Sequence, residues 1–226
     1  MPSGHSHFTE SIEEYLEAIY RLEREGPGVT TSGLATELGI SPASVSGMLK
    51  KLASEGYLDH EPRGVASLTQ KGLEVGARTL RRHRLAERLL TDVLGMSWDE
   101  VHEEACKLEH AISERVEERL IVFLGQPKTC PHGHAIPEAD GSEATLDLAP
   151  LAQAQPGQNV RVAGVTDEVP EMLRYLGEIG MIPGVNVQIV EKAPLGGPVT
   201  IAIDGTRHAI SLELARTVLV ETPPCD

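Results

Sequence analysis

A nine-residue stretch in the middle of the chain, HEEACKLEH, brings imidazole, thiolate and carboxylate together. Within it His102, Cys106, Glu109 and His110 are spaced i, i+4, i+7 and i+8. At roughly 100° per residue these four fall within a helical arc of about 100°. A single face with those donor types suits a divalent transition metal. His83 and Glu87 make a further i, i+4 pair, and Glu14 and Glu17 an i, i+3 pair. Three helices thus each offer ligands, enough for two sites of four or more. The plain alternative is a surface helix with scattered acids, and four donors on one arc weigh against it. No helix here carries H-E-x-x-H, so a zinc protease is not supported. Cys130, His132 and His134, in KTCPHGHAIP, are a rival cluster. Their spacing needs no helix, and no second pair completes a zinc site. His5 and His7 belong to a frayed terminus, and Cys225 reads as inert.

The elements that position these donors follow from periodicity. Ile12, Leu16, Ile19, Tyr20 and Leu22 have helical spacing, and Gly26-Pro27-Gly28 ends that helix. A short helix from Thr31 to Leu38, a turn at Gly39-Ile40-Ser41 and a second helix capped by Ser41, with Pro42 first, form a helix-turn-helix. Tyr57-Leu58-Asp59-His60, a Pro62-Arg63-Gly64 turn and Val65-Ala66-Ser67-Leu68 read as a two-stranded wing. In that frame Ser41, Pro42, Ala43, Ser44, Ser46 and Gly47 line the part of the second helix that meets base edges. Lys50, Lys51 and Arg63 reach phosphate. Arg78, Arg81, Arg82 and Arg84 extend the basic surface. Gly47 offers no base contact, so specificity rests on few direct contacts or on DNA shape. A helical hairpin with solvated lysines is the bland reading of the same residues.

Thr69 to Leu94 reads as a long helix with Gly72 and Gly76 as weak points. Ser97-Trp98-Asp99-Glu100 is a capping box. The helix after it runs to Leu124 with a broad apolar stripe, which a symmetric dimer would cover. Residues 126–158 have the composition of a mobile linker. Beyond 159 the pattern is β, with glycine-rich turns that fit a small barrel.

The net charge of −14 hides an uneven distribution. Residues 30–84 carry eight basic and five acidic side chains, while the flanking segments are all acidic. A local basic patch can bind phosphate inside an acidic protein. With 2 Phe, 1 Trp and 4 Tyr, stacking platforms for single strands are not expected. Three cysteines make no disulfide framework. No secretory signal and no apolar run of about 18 residues is visible, so a cytoplasmic protein without membrane association is expected.

With these residues in view, the chain resembles the diphtheria-toxin-repressor family of metal-dependent transcriptional regulators. The resemblance covers nearly the whole length. Its strongest stretch is RRHRLAERLLTDVLGMSWDEVHEEACKLEHAISERVEERL, residues 81–120. CPHGHAIP is similar to the segment that follows the family's dimer helices, which favours a structural role for it. LGEIGMIPGVNV and APLGGPVTIAIDG resemble the SH3-like domain shared with ferrous-iron-transport accessory proteins. The resemblance implies a multidomain fold: an N-terminal winged helix-turn-helix (α+β) over residues 1–76, an all-α dimerisation and metal-binding domain over 77–145, and a C-terminal SH3-like β-barrel over 155–222. It implies a homodimer that binds a palindromic double-stranded DNA operator when loaded with metal. By position Glu14, Cys106, Glu109 and His110 match the regulatory metal site, and His83, Glu87 and His102 an ancillary one. Asp167, Glu168 and Glu171 are the nearest candidates for ligands from the third domain.

Two departures bear on the metal. Iron-type members carry Met where this chain has Glu14. Manganese-type members carry a carboxylate there and another three residues on, as Glu14 and Glu17 do here. They also carry a carboxylate where this chain has Cys106. A carboxylate in place of a thioether hardens the site toward Mn(II), while the thiolate pulls toward softer ions. Mn(II) is expected first and Fe(II) second, with Co, Ni, Zn and Cd binding in vitro. Two other readings stand beside the regulator: a metal-independent winged-helix regulator whose third domain binds a partner, and a metalloenzyme, for which no substrate pocket motif is evident.

Overall fold

The computed structural model describes residues 7–26, 28–60, 65–138 and 140–221. Arg63, His5 and Cys225 lie outside them, as does the predicted wing turn. The chain divides into two compact units. The first comprises residues 1–83, 106–119 and 137–143, and the second residues 84–105, 120–136 and 144–226.

In the first unit α1 (His7–Glu25), α2 (Thr31–Glu37) and α3 (Pro42–Ser54) precede a hairpin of β1 (Leu58–His60) and β2 (Ala66–Leu68). Thr30 and Ser41 cap α2 and α3 by accepting from the backbone N–H of Gly33 and Ser44. Ile12, Leu16, Ile19, Leu34, Val45, Leu49, Leu52, Leu58 and Ala66 form one core, so α1 is part of the winged helix. Leu68 N–H donates to Glu23 Oε1 at 2.8 Å, which also ties α1 to the wing. The helix α4 (Gln70–Arg88) begins directly after the wing. Its glycines are contact points rather than weak points. A Cβ on Gly72 would lie 2.1 Å from Tyr57 O, and one on Gly76 would lie 2.5 Å from Leu16 O. Only glycine lets α4 approach the residue before β1, at Gly72, and α1, at Gly76, this closely.

Two expected helices differ in detail. The helix predicted from Thr69 to Leu94 is α4 followed by a π-helical turn, Leu89–Val93. The one predicted to run to Leu124 is two helices, α5 (Val101–Glu109) and α6 (Glu114–Phe123). Ser113 interrupts it: its hydroxyl accepts from the N–H of Val116 and starts a new helix. Ser97 makes no capping box; its hydroxyl bonds the carboxylate of Asp99.

The second unit holds a six-stranded antiparallel sheet in the order β3-β8-β4-β5-β6-β7. The strands are β3 (Leu148–Pro150), β4 (Asn159–Val165), β5 (Asn186–Lys192), β6 (Val199–Ile203), β7 (Thr206–Ile210) and β8 (Val218–Glu221), with α7 (Pro170–Glu178) and α8 (Leu212–Thr217) between them. Halfway along, β4 exchanges β5 for β8 as its partner, with a register shift between Val162 and Gly164. Alternating burial along β4 and β6 faces Val160, Val162, Ile201 and Ile203 into a core that also holds Trp98, Leu173 and Leu176.

The segment read as a mobile linker is built into the fold. Cys130, Ile136 and Leu151 are buried, and β3 pairs with β8, which places the start of the sheet before residue 155. Proline and glycine here shape tight turns that hydrogen-bond across themselves, as Cys130 N to His134 O and Gly133 N to Cys130 O do.

Candidate metal centres and nucleic-acid interface

In the first unit α1, α4 and α5 bring Glu13, Glu14, Glu17, His83, Cys106, Glu109 and His110 together. Donor atoms of Glu17, His83 and Glu109 all lie within 4.8 Å of one another. His83 Nδ1 is 2.6 Å from Glu109 Oε2 and 4.0 Å from Cys106 Sγ. His110 Nε2 is 3.2 Å from Glu109 Oε1 and 4.0 Å from Glu14 Oε1. That nitrogen is buried yet makes no hydrogen bond. Such an atom costs free energy unless something it can bind lies beside it. Its other ring nitrogen is bonded to Glu13 Oε2 at 2.8 Å. The bond from Glu13 outweighs burial and raises the His110 pKa. Burial, and then the charge of Glu109, push Glu17 up to about 7. The arrangement is an electron-rich pocket of four carboxylates, two imidazoles and a thiol, and its donor set fits a divalent transition ion.

His83 therefore sits with Glu17, Cys106 and Glu109. The second unit brings together Glu87 and His102, and adds donors from elsewhere. His102 Nδ1 is 3.4 Å from Glu168 Oε2 and 3.9 Å from Glu87 Oε1. His132 Nδ1 is 3.3 Å from Glu87 Oε1, 3.5 Å from Glu168 Oε1 and 3.9 Å from Cys130 Sγ. His134 Nε2 is 3.1 Å from Glu168 Oε1. Asp167 instead bonds Thr166, and Glu171 is exposed in the first turn of α7. Burial acts to lower the His132 pKa, but Cys130, Glu87 and Glu168 outweigh it and raise it to about 11. Burial acts to raise Glu168, while bonds from His102 and His134 hold it well below the usual carboxylate range. Burial pushes the Cys130 thiol up. A protonated His132 supplies positive charge where a cation would.

Sequence reasoning missed Glu13 and set the CPHGH donors aside. A carboxylate that bonds the far nitrogen of a donor histidine, as Glu13 does, has no spacing signature. The partners that complete the CPHGH set come from α4 and from the loop after β4, which no local pattern links.

On α3, Ser41, Pro42, Ala43, Ser44, Gly47 and Lys50 are exposed, and Ser46 and Lys51 half-buried. Ser41 and Ser44 hydroxyls bond each other at 2.9 Å. A groove of about 480 Å³ between α1 and α3 is lined by Glu14, Tyr15, Ser44, Gly47 and Lys51 among others. Glu14 thus lies beside His110 and also lines the groove against α3. Of the basic residues beyond the wing, Arg81 and Arg82 are committed to Glu117 at 3.1 and 2.9 Å, and Arg84 to the carbonyl of Ala135. Those three are not phosphate arms; Arg78 is exposed.

A winged helix whose first helix also carries metal donors defines a class, the metal-regulated transcriptional regulators. The comparisons agree. Residues 7–66 match the model of the iron dependent repressor N-terminal DNA binding domain, 69–138 that of its metal binding and dimerisation domain, and 149–222 the FeoA domain. The chain is 37% identical over 225 residues to the iron-dependent repressor IdeR of Mycobacterium tuberculosis, covering 94% of this chain and 97% of the relative. It is 30% identical over 228 residues to the diphtheria toxin repressor of Corynebacterium diphtheriae, covering 94% and 97%. Among solved structures, a manganese-dependent transcriptional repressor complex with manganese superposes with TM-score 0.81 at 34% identity, covering 94% of this chain and all of that one. ScaR with bound Cd2+ superposes with TM-score 0.74 at 30% identity, covering 94% and 99%. The chain belongs to the iron-dependent repressor family, and is a metal-dependent transcriptional repressor of three domains: winged helix, helical dimerisation domain and SH3-like sheet domain. Among the described residues no helix is long and apolar enough to cross a membrane.

Proposed function

We propose that the chain works in the cytoplasm as a homodimer that binds a palindromic DNA operator when Mn(II), or next to it Fe(II), fills the centre on α1. One observation carries the reading. Glu14 and Glu17, on a helix of the winged-helix core, face His83, Cys106, Glu109 and His110. A bound divalent ion supplies the positive charge that this carboxylate-rich pocket lacks. Glu14, Glu17, Cys106, Glu109, His110 and His83 would hold it; Glu87, Cys130, His132 and Glu168, with His102 and His134, would hold metal at the second centre.

The rest is the work of the chain. Burial raises Glu17 first, and the charge of Glu109 adds to it, so the two carboxylates repel. That repulsion loosens α1 from α4 and α5, and with α1 the wing bonded to Glu23. Relief of the repulsion holds α1, and through Glu14 the groove against α3, in one position. Moving such an equilibrium from 1:99 to 99:1 takes about 5.5 kcal/mol of differential binding, within reach of several carboxylate ligands. Val116, Val122 and Phe123 are 46, 69 and 68% exposed along α6, an apolar face that supports a second copy as its cover.

The test is an anaerobic pull-down of sheared genomic DNA in parallel with Mn(II), Fe(II) and chelator at fixed near-physiological salt. Discrete fragments retained only with metal support the reading, and the more effective ion identifies the effector. Equal retention in chelator refutes it in favour of a metal-independent regulator.

A further inference from the structure

We propose that residues 137–143 form a strap clamped by Tyr20 and Arg24, and that this clamp positions the α1 carboxylates of the first centre, so that strap and metal strengthen each other. The inference rests on the metal-sensing reading above and adds to it a second fastening of α1. Glu13, Glu17, Tyr20 and Arg24 are spaced i, i+4, i+7 and i+11. At about 100° per residue they share an arc of roughly 60°. One stripe of α1 therefore carries carboxylates of the centre at one end, and a phenol and a guanidinium at the other. Tyr20 is fully buried and packs with Ala77 and Leu80 of α4. A buried hydroxyl needs a partner, and this one finds two on the strap. Tyr20 Oη is 2.9 Å from Gly141 O and 3.0 Å from Glu143 Oε1, its one proton shared between the two acceptors. Arg24 lies across the Tyr20 ring, 3.3 Å from its centroid. From there its Nη2 donates to Gly141 O at 2.9 Å, and its Nε is 3.3 Å from Glu143 Oε1.

The strap is shaped for this contact. Gly141 N–H donates to Glu138 O at 3.0 Å, and Glu138 N–H to Ser142 O at 2.7 Å. The Ser142 N–H and hydroxyl both donate to Asp140 Oδ1. Gly141 is buried at φ +79°, and a Cβ there would lie 2.3 Å from Leu73 Cδ2 of α4. Both the left-handed backbone and the close approach require glycine. At its start the strap is held by α4, whose Arg81 donates to Pro137 O and lies 3.4 Å from Glu138 Oε2.

The strap thus joins α1, through Tyr20 and Arg24, to α4, through Leu73 and Arg81. The first centre joins the same two helices, because Glu17 of α1 and His83 of α4 belong to one donor group. Glu17 and Tyr20 are three residues apart, so an ion and the strap fasten α1 to α4 at neighbouring points. Each fastening removes freedom of α1 that the other would otherwise have to remove. Such coupling is reciprocal: the factor by which the strap strengthens metal binding is the factor by which metal strengthens the strap. In sequence the strap stands between the helical domain, matched through residue 138, and the FeoA domain, matched from residue 149. The clamp makes that connection part of the metal response.

The experiment uses the full-length chain with Mn(II), and compares it with Tyr20→Phe, which keeps the ring and removes the hydroxyl. Glu143→Gln, which alters only the half-buried strap carboxylate, keeps the test standing if Tyr20→Phe fails to fold. Two quantities are read: Mn(II) affinity by calorimetric titration, and hydrogen exchange of the peptide spanning 137–143 by mass spectrometry, with and without Mn(II). In the unaltered chain Mn(II) should slow exchange of the strap. Each variant should bind Mn(II) about 3–10-fold more weakly, the worth of one net hydrogen bond, and should lose the slowing by the same factor. A strap that only stabilises the fold would lower the melting temperature of the chelated variants and leave Mn(II) affinity and the slowing intact; that result overturns the proposal. Strap exchange indifferent to Mn(II), in an unaltered chain that binds it, also overturns the proposal and leaves the metal-sensing reading standing. Mn(II) binding that Glu14→Ala leaves untouched overturns that reading, and the proposal with it.

Discussion

Replacing Glu13 probes how the first centre presents its histidine. Glu13 Oε2 is 2.8 Å from His110 Nδ1, and the ring's Nε2 is buried with no hydrogen bond, facing Glu109 and Glu14. The bond fixes the tautomer, with Nδ1 protonated and the Nε2 lone pair aimed at the donors. It also raises the basicity of the ring. Loss of such an outer partner costs about 10–100-fold in metal affinity, which converts to about 1.4–2.7 kcal/mol. Glu13→Ala should weaken Mn(II) binding by that factor. Glu13→Gln keeps an acceptor but loses the charge. Charge-assisted bonds are roughly twice as strong as neutral ones, so its loss should be about half as large in free energy. The assay is calorimetric titration of each protein with Mn(II), with melting of the chelated proteins as the folding control. Unchanged affinity in a folded Glu13→Ala protein would refute the argument, and the orientation of His110 would then be set by packing alone.

Gly76→Ala forces a Cβ to 2.5 Å from Leu16 O; overpacking of this kind costs about 1–3 kcal/mol. Thermal melting should shift down, and Mn(II) affinity should fall with it because α1 carries Glu14 and Glu17. Cys106→Asp replaces a soft donor by a hard one; competition titrations should show Cd(II) losing ground to Mn(II), and an unchanged ratio would remove Cys106 from the ligand set. In chelator, His132 is raised from 6.5 to about 11 and Glu17 from 4.5 to about 7. The folded state then binds extra protons, through Glu17 across pH 4.5–7 and through His132 above 6.5. Their contribution to stability is lost as pH rises, so the chelated protein should melt lower at pH 9 than at pH 6. Saturating Mn(II), which binds better as donors lose protons, should remove that decline; a melting temperature that climbs with pH in chelator would contradict the assignment of both groups.

Local order determined much of this protein. Helical period and the Ser41-Pro42 start mark the helix-turn-helix, and alternation with glycine turns marks the β domain, because both depend on neighbours a few residues apart. The arc of His102, Cys106, Glu109 and His110 was legible for the same reason, although His110 lies just past the end of α5. What was misread depends on contacts between distant segments. Proline and glycine in 126–158 look like a linker, yet they close the tight loop that buries Cys130 and His132. Gly72 and Gly76 look like flaws in α4, yet they admit Tyr57 O and Leu16 O.

The sequence by itself thus determined which donor types the chain owns, which helices carry most of them, and that one basic segment sits in an acidic protein. Only the tertiary structure decided the grouping: His83 with Glu17 and Glu109, Glu87 with Cys130, His132 and Glu168, and Glu13 behind His110. A ligand set is a meeting of side chains from separate elements within a few ångströms. Periodicity orients each donor about its own helix axis, but packing between elements sets which donors meet.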